Sequence, residues 1–187
     1  MRRNALFVAA ALAVQVILVG AIPLHETIVR ATGRTVIVSV DPVDPYDPLR
    51  GYHANFTYRH LGPHLPGFDR AARDGSTAWA VLQAPHPGEA AVPVAIVRSP
   101  AAGRGDSVLR VHYRVVDEEH CSSTLRAAGC RTLRAGRNAW YADEASVAAL
   151  SEALRGYSAV AELRLTADGD ASLLRLTPSG GAKGLKR

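Results

Sequence analysis

Seven histidines, two cysteines and 17 acidic residues are the side chains of this 187-residue sequence with metal, redox or acid–base chemistry, and their spacing decides what they can do. His53, His60 and His64 form the densest histidine group. His60 and His64 have the i, i+4 spacing at which two imidazoles on one helix face hold zinc, but Gly62 and Pro63 between them oppose a helix, and no HExxH pattern is present. Asp117-Glu118-Glu119-His120 offers donors too, yet consecutive loop positions point in different directions. No metal and no cofactor is expected. A serine–lysine hydrolase needs an ordered lysine, whereas Lys183 and Lys186, the two lysines present, fall in a Gly-rich tail. No GxSxG elbow marks a serine nucleophile. The catalytic alternative is an envelope hydrolase whose centre is assembled from distant residues such as His53, His120 and Asp117; the balance leans away from an enzyme.

Cys121 and Cys130 are the remaining reactive pair. In an exported domain such a pair is more often oxidised than free, and closing a loop of about ten residues stabilises by about 2 to 3 kcal/mol. Two unpaired thiols and half of a zinc site remain as alternatives, against which stands the absence of CxxC spacing. Arg104-Gly105-Asp106 spells an integrin-type tripeptide too short to carry weight.

The elements that must position these groups begin with an apolar run, residues 5–24, in which Gln15 is the clearly polar side chain. As a helix it is about 30 Å long, the thickness of a bilayer's hydrocarbon core. Arg2 and Arg3 precede it, so the positive-inside tendency keeps the amino terminus cytoplasmic and carries the rest across. Residues 1–24 are therefore read as a cell-membrane anchor, residues 25–178 as an extracytoplasmic domain, and residues 179–187 as a disordered basic tail. A cleaved signal ending near Val19-Gly20-Ala21 is the competing reading, and it leaves a soluble secreted binder. Both readings export the domain; the full-length span favours the anchor. Beyond the anchor 20 basic and 17 acidic residues nearly balance, and the arginines stand singly among acids, so no nucleic-acid partner is expected.

Within the domain, β-branched and alternating runs predict strands over 35–40, 54–60, 77–83, 91–98, 109–116, 140–141, 158–166 and 171–176. Residues 109–115 alternate so that His112, Arg110 and Arg114 share the wet face. Asp41-Pro42-Val43-Asp44-Pro45-Tyr46-Asp47-Pro48 reads as a stiff, polyproline-like connection rather than a calcium loop, because its acids stand roughly 9 Å apart. Asp143 as N-cap and Gly156 as stop bound a late helix. Asp168-Gly169 between two strand-like runs signals a hairpin. The expected fold is an N-terminal transmembrane helix followed by a β-rich α+β domain of about eight strands and one late helix.

The passage Asp41-Pro42 through Leu49-Arg50-Gly51-Tyr52-His53-Ala54-Asn55-Phe56-Thr57-Tyr58 resembles the bacterial GDYXXLXY protein family, named for that motif. Gly51 and Tyr58 match its first and last positions and Phe56 stands for its leucine, while Tyr52 replaces the aspartate and His53 the first tyrosine. Asn138-Ala139-Trp140-Tyr141-Ala142-Asp143-Glu144-Ala145 is similar to the family's aromatic, acidic stretch before its late helix. The resemblance runs from the apolar segment to about Leu176. It implies a membrane-anchored envelope protein, with no catalytic residue to carry over. From the residues themselves, Gly51 supplies a sharp turn, and alternation puts Ala54, Phe56 and Tyr58 on one strand face. A fold-defining turn and core strand is the favoured account of the motif; Arg50, Tyr52 and His53 would form a partner surface if exposed. The expected function is a single-pass binding or accessory module for another membrane protein.

Overall fold

A computed structural model describes residues 2–43, 53–86, 89–103, 107–117, 119, 121–136, 139–141 and 159–178. The chain opens with one long helix, α1 (Arg2–Thr32), passes through Gly33, and enters β1 (Arg34–Val43). There follow β2 (His53–Tyr58), β3 (Thr77–Gln83), β4 (Val92–Val97), a 3₁₀ turn (Pro100–Gly103), β5 (Ser107–Val115), the single-turn α2 (Ser123–Arg126), β6 (Arg131–Ala135), β7 (Ala139–Tyr141), β8 (Ala159–Leu165) and β9 (Ala171–Pro178).

Helix α1 is long and apolar enough to cross a membrane. It runs eight residues past Leu24, beyond the boundary expected from hydropathy, and Pro23 lies inside it. The missing N–H of Pro23 removes one helical hydrogen bond, and the Thr27 hydroxyl donates to the Pro23 carbonyl at 2.8 Å. Apolar side chains face outward along its length, with Val16, Ile22 and Phe7 among the most exposed.

Two antiparallel sheets enclose the core: β7-β2-β1-β8-β9 and β4-β3-β5-β6. All the expected strands are present, and β6 joins them. Strand β1 is longer than its β-branched segment, because Asp41 and Pro42 pair with Thr57 and Phe56 rather than starting a polyproline stretch. Among the described residues the pairing of β8 with β1 covers Arg34 to Val40. The Asp-Pro repeat from residue 44 to 48 and the expected helix after Asp143 lie outside the described residues.

Inward positions alternate as a two-faced sheet requires. Val38, Val40, Phe56, Leu163 and Leu165 from one sheet meet Ala80, Leu82, Leu109, Val111 and Tyr113 from the other, all buried. The sheets are also tied along their margins. Ala91 exchanges backbone hydrogen bonds with Ile37 and Ser39 beside β1, and the Arg110 N–H donates to the Gly169 carbonyl at 2.9 Å. The Asp168-Gly169 turn between β8 and β9 forms as its residues predict: Gly169 has φ +84°, a conformation open to glycine, and Thr166 and Asp170 close the turn.

Candidate functional site

Strand β2 carries the second half of the motif, and its described side chains are core. Phe56 and Tyr58 are buried and meet edge to face at 5.6 Å, as expected of i, i+2 neighbours on one strand face. The residue after the strand, Arg59, holds Asp41 with Nη2 at 2.6 Å and Nε at 3.0 Å from one carboxylate oxygen, fastening β2 to β1 across the outer face. His53 pairs in register with Tyr141 of β7. Arg50, Gly51, Tyr52 and the side chains of His53 and Ala54 lie outside the described residues.

The remaining candidates are dispersed. His60 and His64 are exposed, and His60 adopts φ +62°. Asp117 is exposed after β5, whereas His120 lies outside the described residues. Among the described residues no three His, Cys, Asp or Glu side chains converge on a point where an ion would sit. Cys121 and Cys130 form a disulfide with Cα atoms 5.5 Å apart, enclosing α2. Ser122 caps that turn, its Oγ accepting from the Leu125 N–H. The His112 ring stands 3.3 Å from the Thr77 hydroxyl on the outer face of β5, where alternation places it.

Polar side chains do converge where α1 meets the sheet. The last two turns of the helix lie on the outer face of the five-stranded sheet, over β8 and β9. Val29 points into this contact and is 2% exposed. Beside it, Ser172 of β9 faces outward yet is fully buried beneath the helix. The Ser172 hydroxyl donates to Glu26 and accepts from Arg30 Nε at 3.1 Å, and Arg30 also reaches Glu26 at 3.2 Å. Arg164, the cross-strand neighbour of Ser172, donates to the Gly33 carbonyl at 2.9 Å. Gly33 admits this close approach: a Cβ there would stand 2.6 Å from the Val29 carbonyl oxygen and 3.0 Å from the Leu165 nitrogen.

A second set of contacts reaches the same helix through the β8–β9 turn. Arg110 Nη1 pairs with Asp170 at 2.8 Å, and the other oxygen of Asp170 lies 4.0 Å from His25 Nε2. Arg110 and the Trp79 indole N–H both donate to the Asp168 carbonyl, at 3.2 and 2.8 Å, with the guanidinium 6.0 Å over the indole ring. Alternation assigned Arg110 to a solvated face; in the structure it links the second sheet to the helix root. Glu26 and Arg30 stand at i, i+4, but Ser172 carries no local sequence signal, because its partnership with Glu26 spans 146 residues.

Between the helix end, the 3₁₀ turn and the β8–β9 turn lies an open cleft of about 640 Å³. Thr32, Arg34, Pro100, Val108, Leu165 and Asp168 are among its walls. Its lining residues include the apolar Pro100, Val108 and Leu165 beside Arg34 and Asp168, and among the described residues neither Arg34 nor Asp168 has an ion-pair partner.

No curated protein and no solved structure matches the chain. The GDYXXLXY protein family model matches residues 15–176, which takes in the C-terminal part of α1, the motif strand, the disulfide loop and both sheets as far as β9. The match therefore covers the helix and the domain it is fastened to as one unit, and the chain belongs to the GDYXXLXY protein family.

Proposed function

We propose that the protein is a single-pass cell-envelope module, with its amino terminus in the cytoplasm and its β domain outside, that binds or supports another membrane protein. Val16 and Ile22 are more than 70% exposed on α1, a state that apolar side chains hold when lipid or another helix covers them. Arg2 and Arg3 before the helix favour a cytoplasmic amino terminus. The observation that carries the reading is the clasp of Glu26, Arg30, Val29 and Ser172, which fixes the β domain to the helix without a flexible linker. A tether alone needs no such joint, whereas a module that presents a surface to a membrane-embedded neighbour gains from fixed height and orientation, because less freedom is lost on binding.

The motif residues Arg50, Tyr52 and His53 are the candidate partner surface in this reading, on the condition that they are exposed. Tagged full-length chain is solubilised in mild detergent and its co-purifying proteins are identified. A membrane protein enriched with the parent chain and lost from the Arg50→Ala, Tyr52→Ala, His53→Ala triple variant is the expected result. Full retention by the variant removes the motif as the surface, and the absence of any enriched membrane protein overturns the accessory role.

A further inference from the structure

We propose that Gln15, at mid-depth of α1, hydrogen-bonds a transmembrane helix of another protein, one that carries an amide or hydroxyl side chain at the same depth and leaves the bilayer beneath the β domain. The inference rests on the reading of the chain as a single-pass module that supports a membrane protein, and it names the helix face used and the chemistry of the partner.

Gln15 is a polar group set in the middle of an apolar span. His25, Glu26 and Arg30 engage the β domain, so the apolar part of α1 is the run of residues 5–24 before them. Gln15 stands about 15 Å from either end of that run at a rise of about 1.5 Å per residue. Its side chain is exposed, and no described residue hydrogen-bonds its carboxamide. The β domain meets the helix from His25 onward, too far along the axis to reach it. Hydrocarbon offers a carboxamide neither donor nor acceptor, and polar side chains of this kind in spanning helices are met by side chains of neighbouring helices. Leu12, Leu18, Val19 and Ile22, at i−3, i+3, i+4 and i+7 from Gln15, are exposed and frame it with apolar surface suited to packing against a second helix.

The same face leads up to the β domain. Gln15, Ile22 and Val29 are spaced by seven residues, about two turns, and a stripe of that spacing drifts by only about 20° per heptad. The helix is continuous through Pro23, which lies between the last two. Val29 is the buried residue that α1 presses onto the sheet, so the Gln15 stripe is continuous with the helix–sheet interface and runs beneath β8 and β9. That roof selects the occupant. A helix packed on the stripe at about 8 to 10 Å between axes must end at the bilayer surface with a short outer connection, as in a protein that crosses the membrane several times. A second copy of this chain does not fit there in parallel, because its own α1 stays helical to Thr32, about 12 Å past Leu24, in the space that β8 and β9 of the first copy hold. An antiparallel copy would put its β domain on the cytoplasmic side.

The test puts a photo-reactive phenylalanine analogue in place of one α1 side chain at a time in the full chain, irradiates intact membranes and identifies the cross-linked peptides by mass spectrometry. Leu12 and Ile22 flank Gln15 on the stripe, Ile17 and Leu24 lie on the opposite side of the helix, and all four are exposed. From Leu12 and Ile22 the expected product is a transmembrane peptide of another membrane protein, with an amide or hydroxyl residue near mid-depth, in clear excess over that from Ile17 and Leu24. Adding Gln15→Leu should lower the yield by about three- to tenfold, the loss of one interhelical hydrogen bond. Gln15→Asn keeps a carboxamide and should hold the yield within about twofold of the parent. Equal yields from the two sides, a yield unchanged by Gln15→Leu, or equal losses for the two substitutions overturn the contact. A cross-link to a second copy of this chain overturns the occupant. Detergent co-purification from the same membranes separates this failure from that of the reading beneath it: a membrane protein that co-purifies but gives no cross-link from the stripe refutes the Gln15 contact alone, and the absence of both refutes the accessory role.

Discussion

Replacing Gly33 by alanine tests whether α1 and the β domain form one rigid unit. The added methyl carbon would stand 2.6 Å from the Val29 carbonyl oxygen, 3.0 Å from the Leu165 nitrogen and 3.1 Å from the Arg164 Cβ. Two of these neighbours are backbone, so relief requires the last helical turn and β8 to separate. Separation strains the Gly33 N–H bond to Val29 at 2.9 Å and the Arg164 bond to the Gly33 carbonyl, also 2.9 Å. Overpacking costs about 1 to 3 kcal/mol and a weakened charged hydrogen bond about 1.5 kcal/mol, offset by about 0.4 to 1 kcal/mol from the lower freedom of the unfolded alanine chain. A net of about 2 kcal/mol corresponds to roughly 30-fold faster opening of the joint. Amide hydrogen exchange on the full chain should show this acceleration at residues 29–34 and 163–165, with β3 and β5 unchanged. Gly20→Ala is the control, because a Cβ there meets nothing within 4 Å. Exchange within twofold of the parent in both segments, with helical content preserved, would refute the rigid joint.

Three further outcomes test the fold around it. Phe56→Ala removes a ring that is 1% exposed and should cost about 3 to 5 kcal/mol in a denaturant titration, showing the motif strand to be core. Changing both Cys121 and Cys130 to alanine removes the disulfide and should lower stability by about 2 to 3 kcal/mol, read as a lower urea midpoint with parent secondary structure by circular dichroism. Burial, reinforced by the charge of Asp69 and opposed by the Asp69 N–H bond, holds the Tyr113 hydroxyl above the ordinary tyrosine range. Because the folded state keeps that proton longer than the unfolded chain, stability is full below about pH 10 and falls as pH rises through the raised value. Tyr113→Phe should flatten that fall in midpoints measured from pH 9 to 11.

Alternation was sufficient for most strands, and it placed Phe56 and Tyr58 on a buried face and Arg110, His112 and Arg114 opposite. It missed β6 because Arg131, Thr132 and Arg134 interrupt the apolar pattern; Arg131 is used to hold the Ala72 carbonyl at 2.6 Å. It also stopped the helix early. Pro23, His25, Glu26 and Arg30 look like an exit into solvent, yet tertiary contacts with β8 and β9 keep these turns helical and buried on one side. Ser172 could not be recognised because a lone serine in a strand signals nothing until the helix above it is in place.

The direct passage from helix through Gly33 into the central strands has a directional consequence. An α-helix turns about 100° with each residue, so a joint that cannot swivel sets the compass bearing of every α1 side chain relative to the β domain. Inserting one residue below Glu26 would lift the domain by only about 1.5 Å while swinging it a quarter-turn or more around the helix axis. The number of residues in α1 thus sets which flank of the domain lies over a given face of the helix's N-terminal half, and a deletion that leaves hydropathy intact would still rotate the domain about that axis.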